Sequence, residues 1–123
     1  MNATALRLSG DFAIDALTFD EITLPEPAPH EVVVKMHAVS LNYRDLMLVK
    51  GLYDPNVQKP RIPGSDGAGE VVAIGSEVTA FRVGDRVVAP FFLDWIDGPV
   101  TAAAPPSALG GAVDGTLTTH QIF

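Results

Sequence analysis

The chain has 123 residues, 47% apolar and 19% charged, which suits a single soluble globular domain with one core. Its net charge of −7 repels nucleic-acid backbones and anionic membrane surfaces, and the absence of cysteine removes disulfides, thiol nucleophiles and thiolate-built zinc sites. No apolar run is long enough to span a bilayer, and Asp11 and Asp15 interrupt any signal-peptide pattern early, so the expected compartment is the cytoplasm. His30, His37 and His120 are scattered without a metal-ligand spacing.

Residues 3–8 alternate and predict a first strand, ended by Ser9, Gly10 and Asp11. Residues 13–24 predict a second and a third short strand, with Phe19, Ile22 and Leu24 pointing inward. Pro25, Pro27 and Pro29 then withhold three ladder donors, which predicts a rigid loop. Residues 30–41 carry the strongest strand pattern. Val32, Val34, Met36 and Ala38 share one face, and Val33, Lys35, His37 and Val39 the other. Lys35 brings that second face to solvent over part of its length, so His37 reads as a surface histidine rather than a ligand.

At Asn42 the pattern changes to that of a short helix. Asn is a preferred N-cap, residues 43–50 carry an acid early and a base late, and Gly51 is placed as the stop. Leu46, Leu48 and Val49 would anchor this helix and leave Asn42, Tyr43 and Asp45 at its mouth. Between Arg44 and Arg61 lie four bases and two acids, so this stretch is +2 and the remainder −9, summing to −7. Such a strip either greets an anionic ligand or is a solvated loop. On the first reading Arg44 joins Asn42 as a candidate cofactor contact.

Residues 55–63 read as a loop, followed by Gly64, Gly67 and Gly69 at the entry to a strand that includes residues 71–74. A dinucleotide fingerprint would need a third glycine at position 72 and a following helix; Val72 and a strand pattern stand there, so these glycines bend a strand instead. A turn at Val83, Gly84 and Asp85 leads to a strand at residues 86–89, and residues 91–96 are aromatic and apolar without a clear period. Residues 99–115, rich in Ala, Pro and Gly, predict a long loop of the kind that is functional or mobile. Residues 116–123 alternate again and stop in mid-pattern, as expected of a chain that continues.

Short β-segments, one short helix and no βαβ rhythm give a mainly β, barrel-like domain. The ordered motifs go further: Pro25-Glu-Pro27, Glu31-Val-Val-Val-Lys35, Ser40-Leu-Asn-Tyr-Arg-Asp45, Gly51-Leu-Tyr53, Pro63-Gly64, Gly69-Glu-Val-Val72, Ile74-Gly75 and Val83-Gly-Asp-Arg-Val87. In this order they resemble the N-terminal GroES-like catalytic domain of medium-chain dehydrogenases and reductases, above all the zinc-independent alcohol dehydrogenase-like and quinone reductase-like branch. The resemblance covers nearly the whole chain and implies a partly open barrel with one or two short helices. It also implies a Rossmann domain beyond residue 123.

Zinc-dependent members of that superfamily place a cysteine at the position of Asn42 and Gly-His-Glu at the positions of Gly64, Ser65 and Asp66. Their structural-zinc lobe falls near residues 91–112, which here hold no cysteine. The resemblance therefore implies no zinc. From the zinc-free relatives Asn42, Asp45 and Tyr53 carry over. Asn42 would bond the substrate carbonyl or the nicotinamide ribose, Asp45 would fix its neighbours, and Tyr53 would donate to a substrate oxygen, with Tyr43 as a second candidate. Met47 stands where some quinone reductases have a further tyrosine, which leaves quinone specificity open. The implied chemistry is hydride transfer between NAD(P)H and a carbonyl, quinone or activated alkene, in a full-length homodimer or homotetramer. The 123-residue piece alone is expected to be inactive. The competing reading is a stand-alone GroES-like barrel that binds or assembles without catalysis.

Overall fold

The computed structural model describes residues 1–123. In chain order it contains β1 (Asn2–Leu8), a 3-10 turn (Ile14–Ala16), β2 (Leu17–Thr23), β3 (Val32–Ser40), α1 (Tyr43–Val49), β4 (Asp66–Ile74), β5 (Arg86–Val88), a second 3-10 turn (Pro105–Ser107) and β6 (His120–Ile122). β1 and β2 form an antiparallel ribbon, and a second sheet has the order β5-β4-β3-β6. Residues 117–119, just before β6, join the two. Leu6 N–H donates to the Leu117 carbonyl at 2.9 Å, and Thr119 N–H to the Thr4 carbonyl at 2.9 Å. The result is a partly open barrel, with no nucleotide-binding fold in these residues.

The ribbon corrects one expectation. Residues 13–24 supply a single strand after a 3-10 turn, and Phe19 is 79% exposed. Phe19 and Ile22 are three residues apart, so a period of two sends them to opposite faces. The register pairs Phe19 with Leu6, and Ile22 with the buried Ala3, so the inward face is the alanine face of β1.

β3 is buried on both faces at Val32, Val33 and Val34, then exposes Lys35 and His37, as the mixed pattern of its second face requires. Val32, Val34 and Val71 form a core cluster, with Met36, Val78, Val87 and Phe123 packed against it. β4 begins at Asp66, earlier than the valines suggest, because the glycine-rich stretch is itself paired: Gly67 with Val39 and Gly69 with Met36.

Residues 94–103 are exposed as a loop would be, whereas residues 104–115 pack back onto the domain without forming a strand. Phe92 bridges to Ala108, and Ala104, Ser107, Ala108 and Leu109 are buried. The Ser107 hydroxyl ties this lobe internally, donating to the Ala104 carbonyl at 2.7 Å and accepting from Asp94 N–H at 3.0 Å. The sequence offers no period here because the lobe is held by such local bonds rather than by a ladder.

Candidate functional site

The helix α1 positions the first group of candidates. Asn42 is its N-cap, and the buried Asp45 carboxylate reaches back to accept from Asn42 N–H at 2.8 Å through Oδ2. The other end closes as a Schellman motif. Gly51 N–H bonds the Leu48 carbonyl at 3.0 Å, Leu52 N–H bonds the Met47 carbonyl at 2.8 Å, and Gly51 takes φ +71°. Leu48 and Val49 are buried and fix the helix to the barrel, while Leu46 stays on the surface. This short stop delivers Tyr53 two residues later, 46% exposed; Tyr43 at the other end is 75% exposed. Neither tyrosine hydroxyl has a hydrogen-bond partner within the chain, so both are free to donate to a ligand.

A second segment, 63–66, meets the cap. Asn42 Nδ2 donates to Asp66 Oδ2 at 2.6 Å, and the fully buried Ser65 hydroxyl donates to the same oxygen at 2.7 Å. Asp66 is a carboxylate and accepts only, so this bond settles the orientation of the Asn42 amide. The third segment, 109–117, is laid along the second by Gly115 N–H to the Ile62 carbonyl (2.8 Å) and Thr116 N–H to the Gly64 carbonyl (3.0 Å). Gly64 itself sits at φ +94°, a conformation that L side chains rarely adopt.

Arg44 links the site to the aromatic lobe. Its Nη1 donates to the Leu109 carbonyl at 2.8 Å, and its guanidinium carbon lies 4.5 Å from the Tyr53 ring centroid and 4.6 Å from that of Phe91. The structure therefore joins Asn42 to Asp45 by a hydrogen bond and sets Tyr53 against Arg44, with no hydrogen bond between the two groups. Tyr43 stands alone at the surface.

The basic strip does not persist as a ligand-facing surface. Arg44 is turned inward, Arg61 pairs with Asp114 at 3.1 Å, and Lys59 caps the Phe12 ring while donating to the Gly10 carbonyl at 2.6 Å. Lys50 alone of the four is exposed. Linear charge counting misses this because each partner lies far away in sequence. Ser65, Asp66 and Phe91 were not singled out as site residues by the sequence. For the first two the signal was available, since they stand where zinc-dependent relatives carry Gly-His-Glu residues.

The donor set at this position does not fit zinc. An amide, a hydroxyl and one carboxylate meet there with no thiolate or imidazole beside them, the chain has no cysteine, and no group of three His, Asp or Glu side chains that could hold a metal is present. Away from the site, burial pushes the His120 imidazole below its ordinary 6.5, with smaller contributions from Lys35 and the terminal amine.

Residues 28–121 match the alcohol dehydrogenase GroES-like domain. The chain belongs to that family. Among its relatives, a zinc-type alcohol dehydrogenase-like protein of Schizosaccharomyces pombe is 46% identical over 110 residues, covering 89% of this chain and 32% of that protein. A chloroplastic quinone-oxidoreductase homolog of Spinacia oleracea is 44% identical over 124 residues, covering 87% and 37% respectively. The crystal structure of a Sinorhizobium meliloti protein assigned as an alcohol dehydrogenase superposes with a TM-score of 0.86 at 35% identity, over 99% of this chain and 36% of that one. This GroES-like domain thus spans about a third of the length of the relatives it matches. No helix in it is long and apolar enough to cross a membrane.

Proposed function

We propose that this GroES-like domain is the substrate-side wall of a zinc-independent, NAD(P)-dependent oxidoreductase whose nucleotide-binding domain lies in further chain. The observation that carries the reading is the closed Asn42–Asp66–Ser65 network at the position where zinc ligands would stand. Relatives named quinone oxidoreductase, alcohol dehydrogenase and acryloyl-coenzyme A reductase share a reducible carbonyl or conjugated alkene as the substrate class. A reduced nicotinamide supplies the hydride in such chemistry. The domain's own residues polarise and protonate. Tyr53 donates its phenolic proton to the substrate oxygen that gains negative charge as the hydride arrives, and Asn42, held by Asp45 and Asp66, is the second polar group of this reading. Tyr43, more exposed, is the second donor candidate. The isolated domain lacks the hydride source's binding site and is inactive in this reading. Homodimers or homotetramers would be set by the further chain.

The test is turnover of the full-length protein with NADH and NADPH on a panel of ketones, enones and quinones, with zinc content measured by mass spectrometry. Hydride transfer that survives chelation, in protein without stoichiometric zinc, is the expected result. One zinc per chain with activity lost on chelation would overturn it.

A further inference from the structure

We propose that Arg44 is a positioning residue that aims Tyr53 by holding its ring against a guanidinium that also lies over the Phe91 ring. This rests on the oxidoreductase reading, which gives Tyr53 its task. The guanidinium carbon lies over both rings, 4.5 Å from the Tyr53 centroid and 4.6 Å from the Phe91 centroid. Nη1 fixes its end to the Leu109 carbonyl at 2.8 Å, and Gly111 packs so closely against Nη2 that a Cβ there would collide with it. Backbone bonds already join the aromatic run to residues 107–109, Leu109 N–H to the Phe91 carbonyl at 3.0 Å among them, and Arg44 ties Tyr53 to that preformed unit.

Stability does not account for this arrangement. Arg44 Nε and Nη2, the two nitrogens of its side-on fork, are buried without a partner. A buried donor left unpaired opposes folding, and an apolar side chain of similar volume would fill the same space without that penalty. What only a guanidinium offers is a flat cation that lies against two ring faces at once while its end makes a directed hydrogen bond. The Tyr53 hydroxyl has no partner of its own in the chain, so no hydrogen bond fixes the ring, and the Arg44 guanidinium is the cation that lies against it. Arg44 acts through Tyr53 and touches no substrate.

The experiment uses the full-length protein carrying R44M, R44K, Y53F and the double variant R44M/Y53F. In R44M the thermal midpoint is expected to hold or rise while kcat falls about tenfold or more, with partial recovery on adding methylguanidine. The double variant is expected to lose no more than the worse single one, because Arg44 acts by way of Tyr53. If R44M does not fold, R44K, which keeps the charge but not the plane, is read by the same criteria. Additive losses, an unchanged kcat, or a lower midpoint with full activity per folded molecule would each overturn the proposal. Peptide-mapped nitration supplies a readout independent of turnover: R44M should speed nitration of Tyr53 and leave Tyr43 unchanged. An inactive wild type with this nitration shift would sink the oxidoreductase reading and leave the positioning role standing. An unchanged Tyr53 nitration rate would overturn the positioning role.

Discussion

The Asn42 amide and the Asp66 carboxylate meet at 2.6 Å, across a gap of 24 residues, and join the helix cap to the first residue of β4. The same carboxylate oxygen takes the Ser65 hydroxyl, which is fully buried. Asp66→Ala removes the acceptor and leaves that hydroxyl stranded, at a cost of about 1–3 kcal/mol. Asp66→Asn keeps an acceptor oxygen and should cost less than half as much. Equilibrium urea unfolding of the two variants checks the order; equal losses would mean that Asp66 is not the group that satisfies Ser65.

Gly51 is fixed by two constraints at once. Its φ of +71° places it in the left-handed region, and a Cβ there would stand 2.7 Å from the Phe12 ring. Gly51→Ala should cost about 1–2 kcal/mol for the backbone alone, with displacement of Phe12 and of the Lys59 ammonium that lies 3.7 Å over its ring in addition. A denaturation midpoint unchanged from wild type would show that the helix can end without the Schellman turn.

How far the sequence reached follows from the range of each interaction. The helix at 43–49, its cap at Asn42 and its stop at Gly51 were legible because capping chemistry acts within a few residues. The two-faced character of β3 was legible from its alternation as far as Met36; the register shift between Met36 and Ala38 then breaks the period, so Ala38, grouped with Val32, Val34 and Met36 by alternation, is exposed. Phe19 was misplaced because an inward set chosen by hydrophobicity alone ignored its odd spacing from Ile22. Residues 99–115 were read as a long loop, and the burial of Ala104 and of residues 107–111 was missed because it rests on the Ser107 hydroxyl and small side chains, which leave no period. At the site, the family resemblance put Asn42, Asp45 and Tyr53 forward as candidates, whereas the inward turn of Arg44 was not legible. Its partners, Phe91 and the Leu109 carbonyl, lie 47 and 65 residues away.

His120 gives the domain a pH dependence of known sign. It pairs in register with Lys35 and lies beside Thr119 Oγ1, 3.2 Å from Nδ1. Burial first, then Lys35 and the terminal amine, make the folded imidazole a weaker base than the unfolded one. Protonation therefore favours the unfolded chain. Stability should fall as pH drops through 6.5 and level off below the lower folded value. His120→Gln should remove this component, seen as a flatter stability curve across that window; an identical slope in the variant would assign the dependence to other groups.

Tyr53 and Tyr43 flank the same helix, and the two phenols separate by what supports them. Tyr53 is backed by the Arg44 guanidinium, whereas the Tyr43 ring stands clear of any aromatic or cationic partner. A proton donor works best when held in place as charge develops, so the assignment favours Tyr53. Tyr53→Phe keeps the ring and its contact with Arg44 and deletes only the hydroxyl. It should lower kcat/KM of the full-length enzyme by about 10- to 100-fold, equivalent to roughly 1.4–2.7 kcal/mol of transition-state stabilisation. Tyr43→Phe should lose at least tenfold less. The pair is informative because both changes are equally small in volume, so a larger loss at Tyr43 could not be blamed on packing. It would move the donor to the mouth of the helix and leave the Arg44 contact without a catalytic partner.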